Sequence, residues 1–453
     1  MKIGIDSIAF DLPKIHLPIE TLAKARHIDP EKLQKGLGLF KMTLPDVHQD
    51  PVVFGANAIQ RLLTNEKINP LDIDRIYVGT ESAVDSAKPI GSYIVSLMEA
   101  HFGEDTFSKC DVVDFTFACI AGVDALHNCI DYIRVNPDKK AIVLTTDIAK
   151  YDLESTGEYT QGAGAIALLI SKDPKIIAFD NNWATSTKGV FDFFKPRRTL
   201  QKEVITGTTD NQPWFDVLEN EVEIHQDQPV FDGQYSNQCY MDRTRNAYFS
   251  FKELKDSTDC LYNSWKSIIM HLPYAFQGRR MLSEIFALDS ASFDLISDVN
   301  DPEFPNKLKE ISKSESYKRF VEEKLMPAEL ASSAIGNLYT GSIFMALLST
   351  LSYHDRNEND IIGSSFGFLA YGSGSKSKVF EGEIQKNWKE GIRNQNLFKI
   401  LDEIQAISLD TYTQLHKKER TVSVKIPTQE WILKNIETEI PTLKGARYYQ
   451  WVD

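Results

Sequence analysis

Apolar positions recur along this chain in two rhythms. Lys2 to Phe10 carries Ile3, Ile5, Ile8 and Phe10 and predicts a strand, after which Pro13 and Pro18 break regular structure. Helical spacing follows over Ile19 to Arg26, again over Glu31 to Lys35, and over Pro51 to Leu63, where Val53, Ala56, Ile59, Leu62 and Leu63 share one face. Short apolar runs at Ile76 to Gly79, Val112-Val113, Ala141 to Thr145, Ile166 to Ile170, Ile268 to Met270 and Ile361 to Gly367 predict strands. After the second of these, Val123, Leu126, Ile130 and Ile133 stand three or four apart with Asp124, His127, Asn128 and Asp131 between them, which predicts a partly buried helix. Further helices are expected from Tyr240, with Tyr248, Phe251 and Leu254 on one face, and over Ile343 to Leu351. Strand and helix alternate up to about Ser171, the pattern of a layered α/β domain. Arg197 to Gln228 changes character, with Trp214 and Phe215 isolated among polar residues, and reads as an inserted excursion. Asp289 to Leu330 reads as charged and helical, with Lys307 to Lys324 a solvated face.

Composition narrows the class. The 453 residues are 42% hydrophobic and 25% charged, values of a soluble globular protein long enough for a large core. A formal charge of −14 without a Lys/Arg block argues against a nucleic-acid partner. Cys110, Cys119, Cys129, Cys239 and Cys260 show no CxxC spacing, so neither a disulfide framework nor a metal site is expected. With no signal-peptide pattern after Met1 and no run near the ~20 apolar residues that span a bilayer, the expectation is a cytoplasmic protein with no membrane partner.

The candidate chemistry gathers around Phe115-Thr116-Phe117-Ala118-Cys119-Ile120-Ala121-Gly122. Cys119 sits at the mouth of the expected helix, where unpaired amides and the positive dipole end would lower a thiol pKa below its usual ~8.5. The competing reading is a buried cysteine acting as a small hydrophobe. Glu81, Asp147 and His271 each follow an apolar strand run, the place where α/β folds hold working residues. Glu81 as a solvated or capping carboxylate and His271 as a core histidine are the alternatives. Arg279-Arg280 is either a phosphate contact or a surface pair, and Asn337 either a cap or a crevice residue. Gly162 and Gly164 fit close packing or a turn; their spacing is too short for a phosphate-binding loop.

Taken in order, Thr80-Glu81-Ser82, Ala118-Cys119, Thr146-Asp147, Phe191-Asp192-Phe193-Phe194-Lys195-Pro196, His271-x-Pro273-Tyr274, Gly336-Asn337-x-Tyr339-Thr340-Gly341-Ser342 and Tyr371-Gly372-Ser373-Gly374 closely resemble the 3-hydroxy-3-methylglutaryl-CoA synthases of the thiolase superfamily, bacterial type. The resemblance runs to about Ser375 and is looser beyond. It implies an α/β thiolase-like fold, with two similar halves in a five-layered αβαβα core, divided here as 1–171 and 172–453 with the insertion at about 197–228. It also implies a homodimer that condenses acetyl-CoA with acetoacetyl-CoA and water, with coenzyme A thioesters as substrates and no cofactor or metal. Carried over by position, Cys119 is the acetylated nucleophile, Glu81 the general acid/base and His271 the group polarising the acetoacetyl carbonyl. Asn337 assists, and Asp147, Asp192, Thr160, Tyr339 and Ser342 shape the pocket. Two departures bear on this. Ile120 stands where the family commonly has tyrosine, implying a more apolar acyl pocket, and Phe276 where it often has lysine, leaving Arg279 or Arg280 to meet the coenzyme phosphate. The same chemistry on a carrier-protein-bound acetoacetyl group, as in polyketide β-branching, and a non-catalytic thiolase-fold scaffold are the rival functions.

Overall fold

The computed structural model describes residues 1–208, 219–224, 228–290, 299 and 302–453. Nine strands form its main sheet: β1 (Ile3–Asp11), β2 (Ile73–Gly79), β3 (Asp111–Phe115), β4 (Lys140–Ala149), β5 (Gly162–Lys172), β6 (Ile177–Thr187), β7 (Trp265–Met270), β8 (Ser365–Gly372) and β9 (Lys376–Ile384). Their spatial order is β7-β8-β9-β6-β1-β5-β4-β2-β3. Strands β2, β3 and β4 run parallel to one another, as do β7 and β8, and the pairings between these two sets are antiparallel. The join is short, with Ile3 to Ile5 of β1 facing Ile177 to Phe179 of β6.

Six helices complete the layers: α1 (Pro51–Asn65), α2 (Ile90–Phe102), α3 (Ala121–Val135), α4 (Gly233–Leu254), α5 (Gln277–Asp289) and α6 (Ser342–Arg356). α1 lies over β1, β4 and β5 and α2 packs beside it over β2 and β3, around a separate apolar cluster that includes Phe54, Ile59, Ile94 and Met98. α3 lies against β2, β4 and β5, and α6 against β7; both place side chains in one large core cluster. α4 covers β6, β8 and β9 and packs on α5. The resulting order is helix, sheet, helix, sheet, helix, as the family resemblance implies.

Close backbone contacts set the spacing. A Cβ on Gly79, at the end of β2, would lie 2.4 Å from Gly122 N in the first turn of α3. At Gly336, where φ is +96°, it would lie 1.9 Å from the Gln161 carbonyl oxygen, and a Cβ on Gly162 would meet the Asn337 backbone at 2.7 Å. The expected packing role of Gly162 is therefore what the fold uses.

Several expectations shift. β4 continues past Thr145, so Asp147 lies within the strand, and the strand expected from Ile361 begins at Ser365. In α4, Tyr248 and Phe251 are buried but Leu254 is 55% exposed, because the helix outruns the sheet beneath it. The solvated face expected over Lys307 to Lys324 hides an apolar stripe: Tyr317 and Phe320 pack their rings on Phe286 of α5, 5.1 and 5.0 Å away. Of the excursion at 197–228, Arg198–Gln201 pairs with Glu221–Ile224 as a small two-stranded sheet, while Trp214 and Phe215 lie outside the described residues. All five cysteines are unpaired, and no described helix is long and apolar enough to cross a membrane.

Gly79→Ala pushes a methyl into backbone that cannot yield and is expected to cost about 1–3 kcal/mol in chemical denaturation. Gly36→Ala, in helix Pro30–Leu37 with nothing within 4 Å, is expected to gain up to about 1 kcal/mol instead.

Candidate active site

β2, β3 and β4 run opposite to β7 and β8 along the sheet, and a polar residue follows or lies near the end of each of these strands. β2 runs into Thr80-Glu81-Ser82, β3 into the turn that carries Cys119, β7 into His271 and β8 into Gly372-Ser373-Gly374, while Asp147 lies near the end of β4. Between β3 and α3 the chain turns sharply at Ala118, whose φ of +42° is a left-handed conformation few side chains adopt. That turn sets Cys119 immediately before the first turn of α3.

The Cys119 thiol donates a hydrogen bond to Glu81 Oε1 at 2.9 Å, and both side chains are buried. Glu81 is in turn fixed by Asp147, which is fully buried. Asp147 Oδ1 accepts from the Glu81 backbone N–H (2.7 Å), Ser82 Oγ (2.9 Å) and Thr80 Oγ1 (3.2 Å), and Oδ2 from Thr340 N (3.1 Å) and Thr340 Oγ1. Removal from water dominates all three groups. Burial pushes the Glu81 carboxyl up to about 7, with Lys195 opposing and Asp147 adding to the rise. Asp147 is also raised by burial, against the pull of Thr340 and its other donors. The Cys119 thiol is raised well above the ordinary cysteine value by burial and by the neighbouring Glu81 carboxylate. The low thiol pKa expected from the helix mouth is thus reversed: one helix end does not offset complete desolvation beside a carboxylate. The resting pair is a neutral thiol hydrogen-bonded to a base.

His271 is buried, and burial lowers it to about 3, so it is a neutral imidazole. Its backbone is held at both ends: its N–H donates to Leu369 O, and its carbonyl accepts from Tyr240 Oη at 2.7 Å. Ser342 Oγ clips the next residue, accepting from Leu272 N (2.7 Å) and donating to Leu272 O (3.0 Å). Among the described residues, His271 Nδ1 has no hydrogen-bond partner. Asn337 Oδ1 accepts from the Tyr339 N–H at 2.8 Å, and its own N–H donates to Thr160 O at 2.9 Å, so Asn337 caps a local turn within the crevice. Asp192 is buried and accepts from Tyr371 Oη and the Gly374 N–H, both at 2.6 Å, which ties its loop to the end of β8.

Cys119 is walled by Ala149, Tyr151 and Tyr339, with Phe193 and Phe231 beyond. Ile120 points elsewhere, into the main core, and Tyr151 and Tyr339 supply phenols beside Cys119. Arg279 stands apart from this cluster. Its guanidinium pairs with Glu329 at 2.7 and 2.6 Å and lies 3.7 Å over the Phe276 ring. Arg280 lies over Tyr274. Three site residues escaped the sequence reading. Tyr151 follows the end of β4 and could have been found by the strand-end criterion that found Asp147. Thr340 and Lys195 fall within quoted runs, but a lone Thr or Lys in a loop has no spacing that marks it.

The model of the hydroxymethylglutaryl-coenzyme A synthase N terminal region matches residues 1–175, and that of the C terminal region residues 215–450. Hydroxymethylglutaryl-CoA synthases of Enterococcus faecalis (29% identity, 91% of this chain and 91% of the relative) and Caenorhabditis elegans (30%, 85% and 78%) are similar along their lengths. Among solved structures, MvaS in complex with 3-hydroxy-3-methylglutaryl coenzyme A superposes with a TM-score of 0.82 at 25% identity, covering 100% of this chain and 99% of that one. The HMG synthase of the curacin biosynthetic pathway, at 20% identity and a TM-score of 0.77 over 100% of both chains, shares the fold. With both terminal models matched in order and the layered fold in common, this chain belongs to the hydroxymethylglutaryl-CoA synthase family.

Proposed function

We propose that this chain condenses acetyl-CoA with acetoacetyl-CoA and water, giving 3-hydroxy-3-methylglutaryl-CoA and free CoA by way of an acetyl group carried on Cys119. The observation that carries the reading is the 2.9 Å hydrogen bond from the Cys119 thiol to a buried carboxylate, which supplies the base that a neutral thiol needs. As the sulfur attacks the acetyl thioester, its proton passes to Glu81, which returns it to the departing CoA sulfur. Glu81, again a carboxylate, removes a proton from the acetyl methyl. A carboxyl with pKa of about 7 is matched to both tasks near neutral pH.

The carbanion so formed attacks the ketone of acetoacetyl-CoA. His271 is neutral and therefore acts through one N–H, donating to the carbonyl oxygen as its charge grows, and the proton that Glu81 took from the methyl group returns to that oxygen to give the 3-hydroxyl. Asn337, Thr160 and Ser342 act by holding the neighbouring backbone, and Tyr151 and Tyr339 close the acyl wall. Water then cleaves the Cys119 thioester, releasing the new carboxylate and restoring the thiol. These steps are acyl exchanges and proton transfers, which call for no metal or redox group. Arg280 is the available cation for the coenzyme phosphates, since Arg279 is engaged by Glu329.

The proposal includes a homodimer and the division 1–171 and 172–453. In support of the dimer, β3 is an edge strand of the main sheet with Val113 38% exposed, an edge that a second copy would cover. Five free cysteines fit the cytoplasm.

Intact-protein mass spectrometry after mixing with acetyl-CoA is expected to show an acetyl adduct on the wild type that acetoacetyl-CoA discharges, and none on Cys119→Ser; no adduct on the wild type overturns the reading in favour of a scaffold. An adduct discharged only by carrier-bound acetoacetyl would move the substrate to the polyketide class. Glu81→Gln is expected to slow acetylation by about 100-fold or more. His271→Ala should leave acetylation in place and lower condensation by about 100- to 1,000-fold. Because the carboxylate form of Glu81 is the working base and accumulates above its pKa, the wild-type rate should fall about tenfold per unit as pH drops below about 7. A profile flat from about pH 5 to about pH 8 would remove Glu81 as the base.

A further inference from the structure

Lys195 reaches the catalytic pair from outside the strand ends. Its ammonium Nζ donates to the Glu81 carbonyl oxygen at 3.1 Å, lies 4.0 Å from Glu81 Oε2 and stands 4.6 Å over the Tyr339 ring. The side chain is 11% exposed, so little water screens it. Its loop is built to hold it there. Asp192 is clamped by Tyr371 and the Gly374 N–H, Lys188 and Ser375 exchange backbone hydrogen bonds, the Val190 N–H donates to Gly374 O, and Phe193–Phe194 pairs with Val230–Phe231. Lys188 to Lys195 lie between the stretches matched by the two family models.

We infer that Lys195 is a positioning residue for the Cys119–Glu81 pair: it fixes Glu81 through its backbone carbonyl, and its charge favours the Glu81 carboxylate, so that the pair holds one proton rather than two at neutral pH. The charges around Glu81 make such a cation necessary. Asp147 faces it from β4 and adds repulsion, Cys119 from the β3–α3 turn donates one hydrogen bond, and Tyr151 and Tyr339 present phenols that burial keeps neutral. Lys195 is the positive group acting on the carboxylate against the desolvation and Asp147, and it lowers the pKa that these raise. Lysine suits the place because a compact ammonium can sit over the Tyr339 face while donating to a backbone carbonyl. Asp192 gains a role through this arrangement, since its clamp sets where Lys195 points.

The inference rests on the proposed use of Glu81 as base, so its test includes a readout that needs no acyl substrate. Lys195→Met removes the charge and the donor, Lys195→Gln removes the charge and keeps a donor, and Lys195→Arg keeps both. For each, two rates are followed from about pH 5 to about pH 10: Cys119 alkylation by iodoacetamide, read by peptide mass spectrometry, and acetylation by acetyl-CoA. The Met and Gln variants are expected to move the acid limb of both profiles up by about one pH unit or more, slowing each rate about tenfold below the limb, while Arg leaves the limb in place. A limb that stays put in Lys195→Gln with a uniformly lower rate, or one that moves equally in Lys195→Arg, overturns the inference. So does a failure of both neutral variants to fold where Arg folds, because Lys195 would then be a structural ion. Absence of acetylation in the wild type would sink the proposed function, yet the alkylation limbs would still decide the effect of Lys195.

Discussion

The Asp147 carboxylate is the constraint on which the site depends. It takes hydrogen bonds from Thr80, Glu81 and Ser82 after β2 and from Thr340 before α6, and it does so fully buried. A buried carboxylate short of partners is costly, so each donor is held where Asp147 requires it. The Glu81 backbone is consequently set from a strand interior, the most rigid location the fold offers, although Glu81 itself belongs to a loop. Thr340 brings the segment holding Asn337, Tyr339 and Ser342 to the same point. One side chain thereby aligns Glu81 with the segment that holds Asn337, Tyr339 and Ser342.

Exclusion of water sets the character of the chemistry. It makes Cys119 a thiol, Glu81 a weak acid and His271 a neutral donor, three shifts in which the uncharged form gains. The helix dipole at Cys119 acts over one turn and is outweighed by the loss of bulk solvent around the sulfur.

Strand-end reasoning reached Glu81 and His271 because β2 and β7 end where their apolar runs end, and it reached Asp147 because the apolar run of β4 stops at Thr145 although the strand continues to Ala149. Cys119 was legible for a related reason, since a turn of small residues separates β3 from α3. The charge states were not legible. A sequence names the helix beside Cys119 but does not show that Glu81, 38 positions away, will stand against its sulfur. Lys195 was hidden for the same reason: its meaning lies in a carboxylate brought to it across 114 positions. Pairing of Arg279 with Glu329 likewise required tertiary contact, as did the burial of Tyr317 and Phe320 beneath a charged run. The family resemblance supplied roles for Asn337, Ser342 and Asp192 that local pattern would have left as cap and loop residues.

The same long reach bears on how the protein comes to be made. The Thr340–Asp147 hydrogen bonds span 193 positions, and α3, with Leu126 and Ile130 wholly buried, shares its apolar cluster with α6, more than 200 positions later. During synthesis the segment bearing Cys119 and Glu81 emerges first, with the apolar face of α3 unmatched until α6 arrives. Contacts of such separation form late and slowly. A catalytic pocket is then the last feature to exist, and the nascent first half passes through a sticky interval in which chaperones and proteases compete with the arrival of its own C-terminal partner.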